Sequence, residues 1–170
     1  MGMKVYRVEV PNRPIIKIRD SLRPKEYSIM ASGFVANQSK RDHEQLFEQV
    51  RIDGFSQKPD RLTSIFAFED PETARWFQQS GRMESGGVLT EHEVTRLDLL
   101  HKGDMDLYNA ACSIIGQWDE WKNKAMFQGM DAEEAQKRMV QAYWEGKILH
   151  PERHTVELLI QGRVEFVRAL

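Results

Sequence analysis

The sequence is short of the residues that mark several specialised classes of chain. Cys112 is its only cysteine, so neither an internal disulfide nor a zinc site built on thiolates is available, which points to a reducing compartment, the cytoplasm. With 6 prolines and 11 glycines in 170 residues, collagen-like and low-complexity classes are excluded. No stretch approaches the roughly 20 consecutive apolar residues that span a bilayer. At the N-terminus Lys4, Arg7 and Glu9 interrupt any apolar signal run, so neither secretion nor membrane insertion is expected. Also missing are G-x-x-x-x-G-K-[ST], G-x-G-x-x-G after a strand, G-x-S-x-G and H-E-x-x-H. Their absence removes the commonest nucleotide-binding, hydrolase and zinc-peptidase readings.

What remains is ordinary globular composition, 41% hydrophobic and 29% charged, at a length that suits one core. A single domain over residues 1–170 is expected. The net charge of -2 hides a division: residues 1–62 hold twelve Lys/Arg against eight Asp/Glu, a balance of +4, and leave -6 to the remainder. Such a basic third reads either as a solvated mixture of charges or as a surface that receives phosphates.

The patterning alternates between periods. Lys4 to Val10 alternates with period two and reads as a half-buried strand; residues 11–37 read as a long loop with one short strand near Ile15 to Ile18. From Ser39 to Gly54 the period becomes helical, with Leu46, Phe47 and Val50 on one side. Arg61 to Phe68 has strand composition, and Asp70-Pro71-Glu72 opens a helix. Residues 80–87 read as a loop and Val88 to Leu100 as one or two strands. Two helices follow, Met105 to Phe127 and Asp131 to Glu145, the second with a capping-box pattern at Asp131 and Glu134 and a stop at Gly146. Gln161-Gly162 between two apolar runs reads as the turn of a β-hairpin. This order predicts an α+β domain.

Few residues invite chemistry. His150 and His154 are four apart, but Pro151 lies between them, and a surface pair is expected with no metal site. Cys112 sits among apolar helix residues without a basic neighbour and reads as a small core residue. Tyr143-Trp144 offers rings that could stack on a base, although closing the core is the expected role. Glu157 stands out because its strand face also carries Leu159. An edge-strand charge and a functional carboxylate are the two readings.

Three short elements then fall into order. The run Thr155-Val156-Glu157-Leu158-Leu159-Ile160-Gln161-Gly162-Arg163-Val164 resembles the glutamate-bearing strand of the ADP-ribosyltransferase superfamily. Val5-Tyr6-Arg7-Val8 is similar to the first strand of its Arg-Ser-Glu group, and Leu62-Thr63-Ser64-Ile65-Phe66 to the serine strand, of whose Ser-Thr-Ser pattern only Thr63-Ser64 is present. The resemblance, to bacterial toxin and effector mono-ADP-ribosyltransferases, implies an ADP-ribosyltransferase-like β-core with an NAD cleft flanked by helices. NAD would be the co-substrate, Glu157 the catalytic carboxylate, Arg7 the cofactor anchor and Ser64 and Thr63 further cofactor-binding residues; Arg61 is, apart from the resemblance, a further candidate for the phosphates. Breaking the ribose–nicotinamide bond builds positive charge on the sugar, which a carboxylate stabilises, and an arginine fork suits the diphosphate. For Arg7 an outward strand charge, and for Ser64 an ordinary strand hydroxyl, are the plain alternatives. Members that modify arginine carry Glu or Gln where this chain has Thr155, so the implied acceptor is another macromolecule, with RNA or DNA slightly favoured over protein by the basic first third. An inhibitory protein is a further implied partner. An interaction module with a degenerate transferase fold, and an NAD-dependent RNA 2′-phosphotransferase, are the alternatives.

Overall fold

Alternation from Lys4 to Glu9 produces strand β1 (Met3–Glu9) in the computed structural model, which describes residues 2–11, 13–23, 38–80, 87–153 and 155–170. Two long strands, β4 (Val88–Asp104) and β5 (Val156–Ala169), form the spine of an antiparallel sheet ordered β1-β4-β5-β2, where β2 is Ile18–Asp20; β3 (Ile65–Ala67) pairs with β5 beside β2. The sheet then meets itself. Tyr6 and Phe68 exchange backbone hydrogen bonds of 2.9 and 2.7 Å, so β1 touches the end of β3 and the path β1-β4-β5-β3 closes.

Closure separates an inner from an outer face, because side chains alternate along each strand. Val5, Ile65, Ala67, Leu158, Ile160 and Val164 fill the inside as one buried cluster. Outside, Leu159 packs against α1 (Gln38–Gly54), α3 (Met105–Ser113) and α5 (Ala132–Glu145) through Phe47, Leu107, Met139, Tyr143 and Trp144. Near the closure, Tyr6, Phe68 and Leu89 pack with Ala74 and Phe77 of α2 (Pro71–Gln79). An α+β domain is therefore the architecture, and Tyr143-Trp144 closes the core, both rings being fully buried.

The helix starts follow their sequence signals. Asp70 accepts a hydrogen bond from Thr73 N at 2.8 Å with Pro71 in the first turn. Asp131 and Glu134 satisfy each other's backbone N–H groups at 2.9 and 3.0 Å, and Gly146 ends α5 at φ 75°.

Elsewhere the signals are overridden. Gln161-Gly162 makes no hairpin, since β5 runs unbroken through it. Gly162, at φ 154°, lies where the β4–β5 register shifts, and its N–H and C=O are taken by Ser21 Oγ and Ser21 N at 2.7 and 2.9 Å. A Cβ there would overlap the Arg96 carbonyl, so glycine permits a bulge rather than a reversal. β4 is likewise one strand and extends past Leu100 to Asp104. The single helix expected from Met105 to Phe127 breaks into α3, α4 (Trp118–Trp121) and a 3₁₀ turn at Ala125–Phe127, with Gly116 in the first gap. Trp118 and Trp121 both turn onto Phe127. β3 is shorter than its composition suggests because Asp60 captures Leu62 N and the Thr63 hydroxyl at 2.8 and 3.2 Å, holding residues 60–64 in a turn. Most of the loops expected over 11–37 and 80–87, and His154, lie outside the described residues.

Candidate functional site: a guanidinium shared by two buried glutamates

Glu157 is not on an edge. Its strand segment lies between β3 and β4, with Gly103 as its cross-strand partner, and the residue is 7% exposed. Neither solvent-facing charge nor protection against edge pairing describes it. Since Leu158 and Ile160 point inward, Glu157 and Leu159 point to the helices.

A carboxylate buried on that face needs partners, and it has them. Arg61 Nη1 donates to Glu157 Oε1 at 2.6 Å, and the Tyr143 hydroxyl donates to the same oxygen at 2.8 Å while itself accepting from Arg61 Nη1. The other edge of the guanidinium faces Glu44 on α1, with Nε 3.1 Å from Oε2 and Nη2 3.4 Å from Oε1. Tyr108 of α3 donates to Glu44 Oε1 at 3.0 Å. The guanidinium is ringed by Phe47, Phe66, Tyr108 and Tyr143, whose centroids lie 4.4–5.4 Å from its carbon. One cation thus joins a strand, two loop-flanked helices and the turn before β3.

Burial works against the charge on Arg61, but the oxygens of Tyr143, Glu157 and Glu44 outweigh it and hold the pKa well above that of an ordinary arginine. The phenols move the same way for a different reason. Burial pushes Tyr143 and Tyr108 up, and the neighbouring carboxylates add to it, so both remain donors at neutral pH.

Gly103 makes room for this arrangement, because a Cβ there would run into the Tyr143 ring. Gly103→Ala is expected to cost about 1–3 kcal/mol through overpacking. Urea unfolding would measure it, and a midpoint shift within error would show that the ring can step aside freely.

Of the residues singled out from sequence, Arg61 and Glu157 meet directly. Thr63 and Ser64 follow Arg61 in the same turn, but their hydroxyls are bonded locally: Ser64 Oγ donates to Asp60 O at 2.6 Å, and Thr63 Oγ1 accepts from Gln161 Nε2 at 3.1 Å. Arg7 is not brought to Glu157. It shares the inner face with Val5, two residues before it, and there Nε donates to Glu9 at 3.0 Å, and Glu9 also accepts from Arg19 at 2.6 Å beside the buried His92. Tyr6, one residue earlier, is the β1 side chain on the outer face with Phe68. Of the basic residues in the first third, Lys4, Arg7, Arg19, Arg51 and Arg61 are all ion-paired.

Glu44 and Tyr108 were not among the residues the sequence singled out, and Tyr143 was read there as a ring that closes the core or stacks on a base rather than as a partner of Glu157. Glu44 did leave a signal, since it lies one turn before Phe47 and shares its apolar stripe, an unusual place for a carboxylate on a charged helix.

A polar cleft of about 350 Å³ adjoins the site, lined by Thr155, Val156 and Gly103 and by Lys102, Asp70 and Arg153. Lys102 pairs with Glu69 at its rim and Arg153 with Asp106. Asp104, 1% exposed, accepts from Thr155 Oγ1, Leu149 N and Asp106 N at 2.6–2.9 Å, tying β4, α3 and the segment before β5 together.

The fold and site define a class: an α+β domain with an antiparallel sheet that meets itself, whose outer face holds a buried Glu–Arg–Glu cluster. The chain belongs to the family described as Protein of unknown function (DUF2441), whose pattern matches residues 12–170. No curated protein matches it. Among the described residues no helix is long and apolar enough to cross a membrane.

Proposed function

We propose that this chain is an NAD-dependent mono-ADP-ribosyltransferase acting on a macromolecule in the cytoplasm, with Glu157 as its catalytic carboxylate. The observation that carries the reading is the contact between Glu157, the catalytic carboxylate that the resemblance implies, and Arg61, a further phosphate candidate 96 positions away. The ADP-ribosyltransferase-like core remains part of the proposal. So do Thr63 and Ser64, as positioning groups of the Arg61 turn. Arg7, on the inner face, is left out of the reacting site.

In this reaction the bond between ribose C1′ and the pyridinium nitrogen of NAD breaks, and nicotinamide leaves neutral with the electron pair. A lone pair of the acceptor then forms the new bond to C1′, and the acceptor loses its proton. Positive charge builds on the ribose between these events, and Glu157 would oppose it. Entry would be through the cleft that borders Gly103, Thr155 and Val156, where Lys102 and Arg153 would exchange their partners Glu69 and Asp106 for the diphosphate.

Incubation of the purified chain and a cell extract with labelled NAD tests this. Nicotinamide release with transfer of label is expected, lost in Glu157→Gln. An inactive wild type, or an active Glu157→Gln, would refute it. Label removed by nuclease identifies RNA or DNA as acceptor, label removed by protease a protein, and an ADP-ribose cyclic phosphate product would mark an RNA 2′-phosphotransferase instead.

A second reading rests on a specific observation. Glu157 Oε1 is already engaged by Arg61 and Tyr143 and is enclosed, as it would be in an interaction module that keeps a transferase fold only as scaffold, for instance one that docks an inhibitory or toxin-associated protein. NAD binding separates the two, since a ligand at 100 times its Kd adds about 2.7 kcal/mol of stability. An unchanged Tm at millimolar NAD favours the module.

A further inference from the structure

Two carboxylates converge on one guanidinium, and they do so unequally. Glu44 occupies the Nε/Nη2 edge and is itself fixed by the Tyr108 hydroxyl, whereas Glu157 receives one N–H, from Nη1, and a neutral phenol. The formal balance of the three groups is one negative charge in an enclosed place, with Arg61 4% and Glu44 2% exposed. Coulombic effects are strong there because little water screens them.

We infer that Glu44 is a positioning residue for Glu157: although Arg61 lies closer to Glu157, at 2.6 Å, than to Glu44, at 3.1–3.4 Å, sharing the one cation between two carboxylates leaves the cluster a net negative charge with which Glu157 can oppose positive charge on a bound ribose. The inference rests on the transferase reading and extends it to a residue on α1 that does not touch Glu157 itself. If Glu44 became neutral, the single cation would be matched to Glu157 alone. The pair would then carry no net charge, and a developing cation would gain less from it than it gains now. In ground-state NAD the positive charge sits on the pyridinium ring and moves onto the ribose, beside Glu157, only as the bond breaks, so the loss falls more on the transition state than on binding.

Steady-state nicotinamide release by the purified full chain at varied NAD tests this, with Tm measured for every variant. For Glu44→Gln, kcat is expected to fall about 10–100-fold, about 1.4–2.7 kcal/mol of transition-state stabilisation, while KM stays within about threefold, the pattern of an interaction made only in the transition state. Glu44→Asp, which keeps the charge, should recover most of kcat. An unchanged kcat in Glu44→Gln beside a dead Glu157→Gln overturns the inference and leaves the transferase reading standing. So does a rise in KM with kcat intact, or equal loss in the Gln and Asp variants. Should the wild type release no nicotinamide, the transferase reading fails and the inference with it. Where Glu44→Gln does not fold, Tyr108→Phe and Glu44→Asp decide: both keep the Glu44 charge, so a kcat within about threefold of wild type in both supports the inference and a tenfold or larger loss in both overturns it.

Discussion

Arg61→Met is expected to destabilise the fold by about 3–5 kcal/mol, the range found when one partner of a buried ion pair is removed. The loss comes less from the contacts deleted than from what is left behind. Glu44 and Glu157 would face each other's charge with only the hydroxyls of Tyr108 and Tyr143 for support. Neither has ready access to water, their side chains being 3% and 9% exposed. The corresponding fall in Tm is on the order of 10 °C for a chain of this size. Adding Glu44→Gln and Glu157→Gln to Arg61→Met should return more than half of that loss, since amides can be buried at lower cost than unpaired carboxylates. Thermal and urea unfolding of the single and triple variants measure the difference. If the triple variant is no more stable than Arg61→Met alone, stranded charge is not the cause and loss of ring packing around Arg61 is.

The same cluster shows where sequence reasoning works and where it stops. Local rules located α2, α5 and β1, because Asp70, Asp131 and Gly146 act on neighbours within one turn and alternation acts within one strand. They failed at Gln161-Gly162, where the same dipeptide that turns a hairpin stays extended opposite a bulge in β4, with β4 on one side and the β2 end on the other supplying partners. They failed again across Met105 to Phe127, where the folding of Trp118 and Trp121 onto Phe127 replaces helical continuation. For the site, Glu157 was legible as a carboxylate on a partly apolar face, and Arg61 as a candidate for the phosphates of a ligand. Their distance was not, nor was Glu44 as the third member, because 17 residues separate Glu44 from Arg61 and 96 separate Arg61 from Glu157. Arg7 is set apart from the helix-facing side by a single step of the pleat. In a strand of period two, one residue decides between the inner cluster and the helix-facing side, and Tyr6, not Arg7, has the outward position.

That inward turn of Arg7 has a consequence for acid stability. On the inner face, burial and then Arg7 push the pKa of His92 down to about 4, with Arg19 acting in the same sense and Glu9 opposing. The Thr90 hydroxyl donates to Arg7 O at 3.2 Å, so its 3.0 Å contact with His92 Nε2 is made by an Nε2–H donor. On the other face, burial, then Lys58 and Arg61, lower His101 to about 4, while its bond to Tyr143 O acts the other way. Both rings are therefore neutral in the native state at pH values where the unfolded chain, with histidine near 6.5, takes up protons. The unfolded state binds more protons between pH 6.5 and 4, so stability is highest above that window and falls as pH falls through it. The slope is about 1.4 kcal/mol per pH unit for each histidine, reaching roughly 3 kcal/mol apiece at the lower end. Urea midpoints from pH 8 to 4.5 should be level at first and then decline. His101→Phe, which keeps the ring contacts with Tyr143 and Trp144, should reduce the slope by about half. A wild-type curve that stays flat from pH 6.5 to 5, or a His101→Phe curve parallel to it, would mean that His101 does not hold its proton-free form against the unfolded chain.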